Sequence, residues 1–460
     1  MQFNSVAYLV YLFIVVGLYY QLAQSGRRWL ILFVSYFFYG FWSVPFSGLL
    51  AFSTLVDWSA SCWIERSKTK AWKRAGLLAS LIANLGVLGL FKYADFFSDS
   101  AYGLFHMRPW PHMNWILPLG ISFYTFQTMS YTIDVFRGHI KAHRSIVDVA
   151  MYVSFFPQLV AGPIVRASDL LPQLQTKQEF EWSNIRQGIA RIIWGLVKKV
   201  HFADAMAHIV TVVYGQSSDY SGWSLLLATY AFAIQIYCDF SGYSDIAIGS
   251  AKLLGIHLPE NFDAPYLTLS IQEFWRRWHM TLSSWLRDYI YIPLGGNRRG
   301  VFRTYVNLMI TMLLGGLWHG AGWHWVVWGG LQGVVMSIER LMGLGNDTTN
   351  SWIVRFFRWF VTFHIVCISW VLFRATDLSN SMFIFKRIFT MADGQFSIGP
   401  APIAVLLILL FVEQMKLRNR WLALFDSHPV LARWVTYLAI LLFSLTFMQS
   451  SNPEFIYFQF

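Results

Sequence analysis

Met312-Leu-Leu-Gly-Gly-Leu-Trp-His-Gly-Ala-Gly-Trp-His-Trp325 sets a histidine, His319, inside an apolar stretch interrupted by Gly315, Gly316, Gly320 and Gly322. Forty positions upstream, Glu273-Phe-Trp-Arg-Arg-Trp-His279 ends on a second histidine. A titratable imidazole held at membrane depth is costly, and the cost marks it as functional before anything else in the chain is known. Whether the stretch is at membrane depth depends on the rest of the sequence.

Of the 460 residues, 56% are hydrophobic and 13% charged, and 22 are tryptophans. With a mean hydropathy of +0.45, the chain is too apolar for a soluble domain of this length. Apolar runs of about 17 to 25 residues recur from end to end, with no long polar insertion between them. The expectation is an all-α polytopic membrane protein, a single membrane domain over 1–460 that ends in an aromatic tail, 450–460. The net charge of +11 sits in short clusters between apolar runs, as positive-inside topology requires, and no nucleic-acid motif accompanies it. The partner surface is lipid, not nucleic acid. Cys62, Cys238 and Cys367 form neither a CxxC pair nor an even disulfide framework and read as buried thiols.

The order of spans and basic loops gives an orientation. The first run, from Val6 to Tyr20, lacks a basic leader and a cleavage site and is followed by Arg27-Arg28. It reads as a retained span with its N-terminus outside. The clusters Arg66 to Arg74 and Arg137 to Arg144 each follow two further spans, so basic loops fall on one side, the cytoplasmic one. Later spans are placed near 187–214, 222–250, 304–320, 322–340, 353–373, 398–414 and 431–449, about a dozen in all, with both termini outside. Two segments break the pattern: 149–165, which contains Pro157 and Gly162-Pro163, and 304–340 with its glycines. Broken helices at membrane depth line a cavity or re-enter, because their freed backbone groups need protein or water.

Residues 270–291 read as an interfacial helix. Ile271, Phe274, Trp275, Trp278, Leu282, Trp285, Leu286 and Tyr289 make an apolar stripe, with Arg276, Arg277, Arg287 and Asp288 opposite or flanking. His279 falls on the edge of the stripe, as a site residue or as a hydrogen-bonded polar neighbour. The following loop, Pro293 to Gly300, carries Arg298 and Arg299, cations suited to the phosphates of a cytosolic ligand and equally to positive-inside bias. Lys198 and Lys199 meet such phosphates or snorkel to headgroups. Asp239 and Asp245, at the polar end of the 222–250 span, are read as structural.

Several motifs in order carry a resemblance: Leu117-Pro-Leu-Gly-Ile-Ser-Phe-Tyr-Thr-Phe126, Ser154-Phe-Phe-Pro-Gln-Leu-Val-Ala-Gly-Pro-Ile-Val165, Asp239-Phe-Ser-Gly-Tyr-Ser-Asp245, Pro259 to Tyr266, Glu273 to His279, Tyr291 to Gly296 and Leu313 to Gly320. From about residue 3 onward the chain resembles the membrane-bound O-acyltransferase (MBOAT) family, in particular its bacterial branch, with alginate- and peptidoglycan-acetylating members and, more distantly, the D-alanyl transfer protein of teichoic-acid synthesis. In that family the membrane histidine matching His319 is essential, and His279 matches an upstream polar position. The resemblance implies a helical bundle with a central funnel. It also implies acyl transfer from a cytosolic thioester, acetyl-CoA, to a polymer outside the bacterial cytoplasmic membrane, usually with a separate extracytoplasmic acetyltransferase partner. It leaves the polymer open between peptidoglycan and an exopolysaccharide such as alginate.

The chemistry of the residues agrees. Transfer from a thioester needs a hydroxyl activated by a base near neutral pH or an acylated nucleophile, and imidazole fills either role. His319 is the choice, with His279 beside it and Arg276, Arg277, Arg287, Arg298, Lys198 and Lys199 as donor-binding candidates. No bound cofactor is expected. No metal is expected either, since His319 and His324 are five apart, off the one-turn spacing, with no acidic or thiol ligand nearby. The alternatives are D-alanyl transfer to teichoic acid, or a non-enzymatic transporter, which would show an internal repeat. The tail Asn452-Pro-Glu-Phe-Ile-Tyr-Phe-Gln-Phe460 is either an interfacial aromatic belt or an acyl carrier. Its ending resembles the aromatic C-terminal motif of the small membrane partner in D-alanylation systems, which makes Tyr457 the carrier candidate.

Overall fold

A computed structural model describes residues 1–160, 162–345, 351–396, 398–417 and 429–448. Among these, every regular element is a helix, apart from one isolated bridge between Tyr220 and Gln395. Lys70–Phe105, Gly222–Leu253, Val301–His319 and Trp352–Arg374 are long and apolar enough to cross a membrane, and Val6–Gln21, Ala401–Met415 and Val430–Thr446 are shorter apolar helices. Several helices carry apolar side chains that no other part of the protein covers, among them Phe13 at 81%, Ile82 at 70% and Phe411 at 67% exposure. Water would not tolerate so many such chains, and lipid does. The protein is a multi-pass membrane protein.

The chain divides into two compact units, Met1–Ile192 with Tyr243–Pro259, and Ile193–Gly242 with Glu260–Phe460. In the first unit an apolar core encloses a polar knot. Asp57 accepts from Thr132 Oγ1 at 2.8 Å, from Asn84 Nδ2 at 2.9 Å and from Ser80. Each polar atom buried here needs such a partner, which ties the Val44–Arg66, Lys70–Leu88 and Ile121–Arg137 helices together. The segment read as broken near Pro157 is broken: helix Ile146–Ser154 stops at Phe155, and a single turn, Phe156–Leu159, follows. Asp245 pairs with Arg191 at 2.8 Å, the structural role read for it in the sequence.

The 187–214 stretch, of which 193–214 belongs to the second unit, is helical throughout but not regular. The helix Trp182–Val197 widens into a π-helical turn, Lys198–Ala203, before Asp204–Gly215. The reason is ionic. Lys199, 1% exposed, lies 2.8 Å from Asp239 and 2.9 Å from Asp204, and Lys198 donates to Ser241 Oγ at 2.9 Å. A buried ammonium holds its charge only when paired, and the wider turn brings these groups together.

The interfacial helix expected over 270–291 is replaced by two short helices, Ile271–Arg277 and Met280–Leu286, followed by a π-helical turn, Arg287–Tyr291. The break is at His279, which adopts φ +44°. Trp278, Leu282 and Trp285 are buried at 0%, 1% and 3% exposure, so the stripe faces protein and not the membrane surface. Phe274, Trp278 and Trp370 stack in one aromatic cluster with Tyr266 and Phe262. That cluster outweighs the amphipathic pattern that made the segment look interfacial.

Candidate active site

His319 is the last residue of the helix Val301–His319. Gly320 and Gly322 then run extended and the helix Trp323–Leu341 turns back alongside. The two helices touch backbone to backbone. A methyl at Gly316 would strike the carbonyl oxygen of Trp325, and one at Gly329 would strike that of Met312. Gly316 and Gly329 make this contact possible, and it brings the His319 ring within 5.1 Å of the Trp328 ring, edge to face. Trp318, Trp325 and Phe373 complete the surround, at 5.0, 6.2 and 5.3 Å between ring centroids. Gly329→Ala is therefore expected to force the helices apart, at a cost of about 1–3 kcal/mol for overpacking. Thermal unfolding in detergent would show it as a lowered midpoint.

His319, 4% exposed, lines a cavity of 840 Å³. Its apolar wall includes Trp328, Met312, Leu286 and Gly315, and the same cavity is lined by Arg276, Arg287, Arg298, Arg299 and Arg340, all five of them exposed. One cavity thus joins a buried imidazole to five solvated guanidinium groups, a volume and character typical of small-molecule sites. Glu339 holds the wall in shape. Its carboxylate accepts from the backbone N–H of Ile271 at 2.6 Å and of Gln272 at 3.0 Å, which caps the helix that carries Arg276. Trp275 is fixed from the same side by a bond from its Nε1 to Gln332 Oε1, 3.2 Å.

The sequence-predicted residues separate into those the cavity gathers and those it does not. His319, Arg276, Arg287 and Arg298 line it. His279 is absent from the lining and fully buried, its ring edge-on to Phe240 at 4.6 Å and to Trp318 at 5.9 Å. Its Nδ1 lies 3.1 Å from Asn261 Oδ1, which assigns the proton to Nδ1 and leaves Nε2 the ring's accepting nitrogen. Burial pushes its pKa down to about 3, so the ring is neutral at physiological pH. Arg277 turns to Glu273, 2.8 Å away, and Lys198 and Lys199 are held in the buried ionic cluster; none of the three lines the cavity. His324 is half-buried beside Trp325 and also outside the lining. Tyr457 lies outside the described residues.

Sequence reading missed Arg340, Trp328 and Glu339 as site residues. A signal was present: Trp328, Gln332, Met336 and Arg340 recur every fourth residue, one row along a helix face, and all but Gln332 line the cavity.

A buried imidazole thus shares one cavity with clustered cations, inside a helical membrane protein. The chain belongs to the membrane-bound O-acyltransferase (MBOAT) family, which it matches over residues 80–375, and it is an O-acyltransferase. It is 41% identical to a probable alginate O-acetylase of Pseudomonas putida over 86% of this chain and 82% of that protein. It is 37% identical to a peptidoglycan O-acetyltransferase of Helicobacter pylori, over 78% of this chain and 73% of that one. A teichoic acid D-alanyltransferase of Bacillus subtilis is 28% identical over 58% of this chain and 72% of its own length.

Proposed function

We propose that the protein passes an acetyl group from acetyl-CoA in the cytosol across the bacterial cytoplasmic membrane for O-acetylation of a cell-envelope polysaccharide, peptidoglycan or an exopolysaccharide such as alginate. The observation that carries this reading is the single cavity shared by buried His319 and five exposed arginines. The acetylating relatives support the choice of acyl group and the class of acceptor. Arg298 and Arg299 belong to a basic loop, which positive-inside topology puts on the cytoplasmic side, so the cavity is a funnel open to the cytosol in a bundle of about a dozen spans with both termini outside. Arg276, Arg287 and Arg298, joined by Arg299 and Arg340, bind the donor's phosphates, and the pantetheine arm runs along the apolar wall to His319.

At the inner end His319 takes the proton of an acceptor hydroxyl as its oxygen attacks the thioester carbonyl carbon. A C–O bond forms, the C–S bond breaks, and the leaving thiolate takes the proton from the imidazolium. The acceptor is the phenol of Tyr457, and an extracytoplasmic partner enzyme moves the acetyl group on to a sugar hydroxyl. His279, neutral and fixed by Asn261, supports the wall behind Trp318.

Neutralising the arginines separates donor binding from chemistry. Arg287→Ala, Arg298→Ala and Arg340→Ala are each expected to raise the KM for acetyl-CoA about 10-fold, the worth of a charge-assisted hydrogen bond, with kcat within about threefold of native. Initial rates in inverted membrane vesicles measure both. An unchanged KM in the triple variant would end the assignment of this cavity to the donor. Mass spectrometry of wall and secreted polymers from cells with and without the protein identifies the acceptor, and D-alanyl esters in place of acetyl esters would replace the acetyl reading with the D-alanyl one.

A further inference from the structure

Indole groups crowd the apolar end of the cavity, and a buried indole N–H normally finds an acceptor. Trp275 Nε1 has Gln332 Oε1, and Trp370 Nε1 has the Tyr266 hydroxyl at 3.2 Å. Trp328 differs. It lines the cavity and is 1% exposed, yet its Nε1–H, itself buried, meets no acceptor among the described residues. An unsatisfied buried donor is destabilising, and a phenylalanine would fill the space without that cost. The ring is boxed in by Trp275 at 5.6 Å, Phe373 at 5.5 Å, Trp370 at 6.1 Å and His319 at 5.1 Å between centroids. The glycine contact at Gly316 and Gly329 fixes the backbone beside it. Trp328 is thus a rigid, desolvated donor next to the imidazole, with no acceptor of its own among the described residues.

We propose that the Trp328 Nε1–H is the hydrogen-bond donor to the thioester carbonyl oxygen and stabilises the oxyanion formed there, an inference that rests on the acyl-transfer reading of this cavity. As the acceptor oxygen adds to the carbonyl carbon and His319 takes its proton, the carbonyl π pair moves onto the oxygen. Trp328 donates to that oxygen without itself losing a proton. When the pair returns, the C–S bond breaks and the thiolate leaves with the proton from His319. A donor that is already aligned and already dry costs no reorganisation at the moment charge develops, and this is the condition under which such a bond favours the transition state over the ground state. The thioester carbonyl oxygen would supply the acceptor that the indole lacks among the described residues.

The test uses inverted membrane vesicles from cells expressing the full chain together with its native acceptor system, and measures initial rates of radiolabelled acetyl transfer from acetyl-CoA into polymer. Trp328→Phe removes the N–H and keeps most of the ring. Replacing Trp328 by 3-benzothienylalanine substitutes sulfur for N–H on the same bicyclic frame and controls for packing. Both are expected to lower kcat about 100-fold and to leave the KM for acetyl-CoA within about threefold, since the donor acts on the transition state. A benzothienylalanine variant within threefold of native kcat overturns the proposal and reduces Trp328 to packing, whatever Trp328→Phe does. His319→Ala, run alongside, keeps the two readings apart. An inactive His319→Ala beside a fully active benzothienylalanine variant removes the Trp328 role alone. An active His319→Ala, or no transfer from acetyl-CoA by the native chain, removes the acyl-transfer reading of the cavity and this inference with it.

Discussion

Replacing His319 with alanine is expected to lower polymer acetylation below about 1% of native, while the protein accumulates in membranes at its usual level. A positioned general base contributes about 10²–10⁴ in rate, and alanine has neither a base nor a nucleophile to offer. Folding should survive, because the helix Val301–His319 is held to its neighbour by backbone contact at Gly316 and Gly329 and not by the imidazole. The ring sits at the end of its helix against an existing cavity, so its removal enlarges a space that is already there. Immunoblots of membrane fractions and quantified polymer O-acetyl groups check the two halves of this expectation. More than a few per cent of native acetylation at equal expression would mean that the proton is taken elsewhere.

Tyr457→Phe is expected to abolish polymer acetylation as completely, by removing one oxygen. If the phenol carries the acetyl group from the thioester to the extracytoplasmic partner, no route remains without it, whereas an aromatic belt would be indifferent to the change. Counted from Ser450, the eight residues to Tyr457 extend at most about 26–29 Å, more than half a hydrocarbon core, a length that lets the phenol approach His319 from outside in the carrier reading. Near-normal acetylation in Tyr457→Phe would return the tail to the belt role and leave transfer direct or through His319 itself. In the carrier case, proteolysis and mass spectrometry of the native protein supplied with acetyl-CoA should find an acetyl ester on the C-terminal peptide, and none in His319→Ala.

Composition and the recurrence of apolar runs were enough to give an all-helical membrane protein, since a chain with 13% charged residues has no soluble alternative. Helix bounds such as Trp323–Leu341 and Trp352–Arg374 fall within a residue or two of the expected spans, because hydrophobic length is a local property. His319 was legible for a similar reason: an imidazole in an apolar stretch is anomalous whatever surrounds it. Arg287 and Arg298 were legible as cations beside that stretch, although sequence alone gave equal weight to topology and to phosphate binding.

What local pattern could not decide was which groups meet. The cations at 198, 199, 277 and 298 look alike in sequence, yet Lys198, Lys199 and Arg277 are taken up by Ser241, Asp239 and Glu273, and Arg298 alone of the four reaches the cavity. The choice depends on carboxylates and hydroxyls brought near by the fold, and in a buried setting pairing overrides any tendency to snorkel. The positions of His279 and Trp328 relative to the cavity were set in the same way. The amphipathic pattern of 270–291 put His279 on the edge of the apolar stripe, and the aromatic cluster around Trp278 buries it behind Trp318. Two glycines thirteen positions apart, unremarkable in a membrane helix, let the backbones touch and carry Trp328 to the side of His319. The solvent, the helices and the imidazole follow from composition and local pattern; the imidazole's neighbours follow from the packing of the fold, because contact between helices depends on atoms far apart in the chain and leaves no trace in local periodicity.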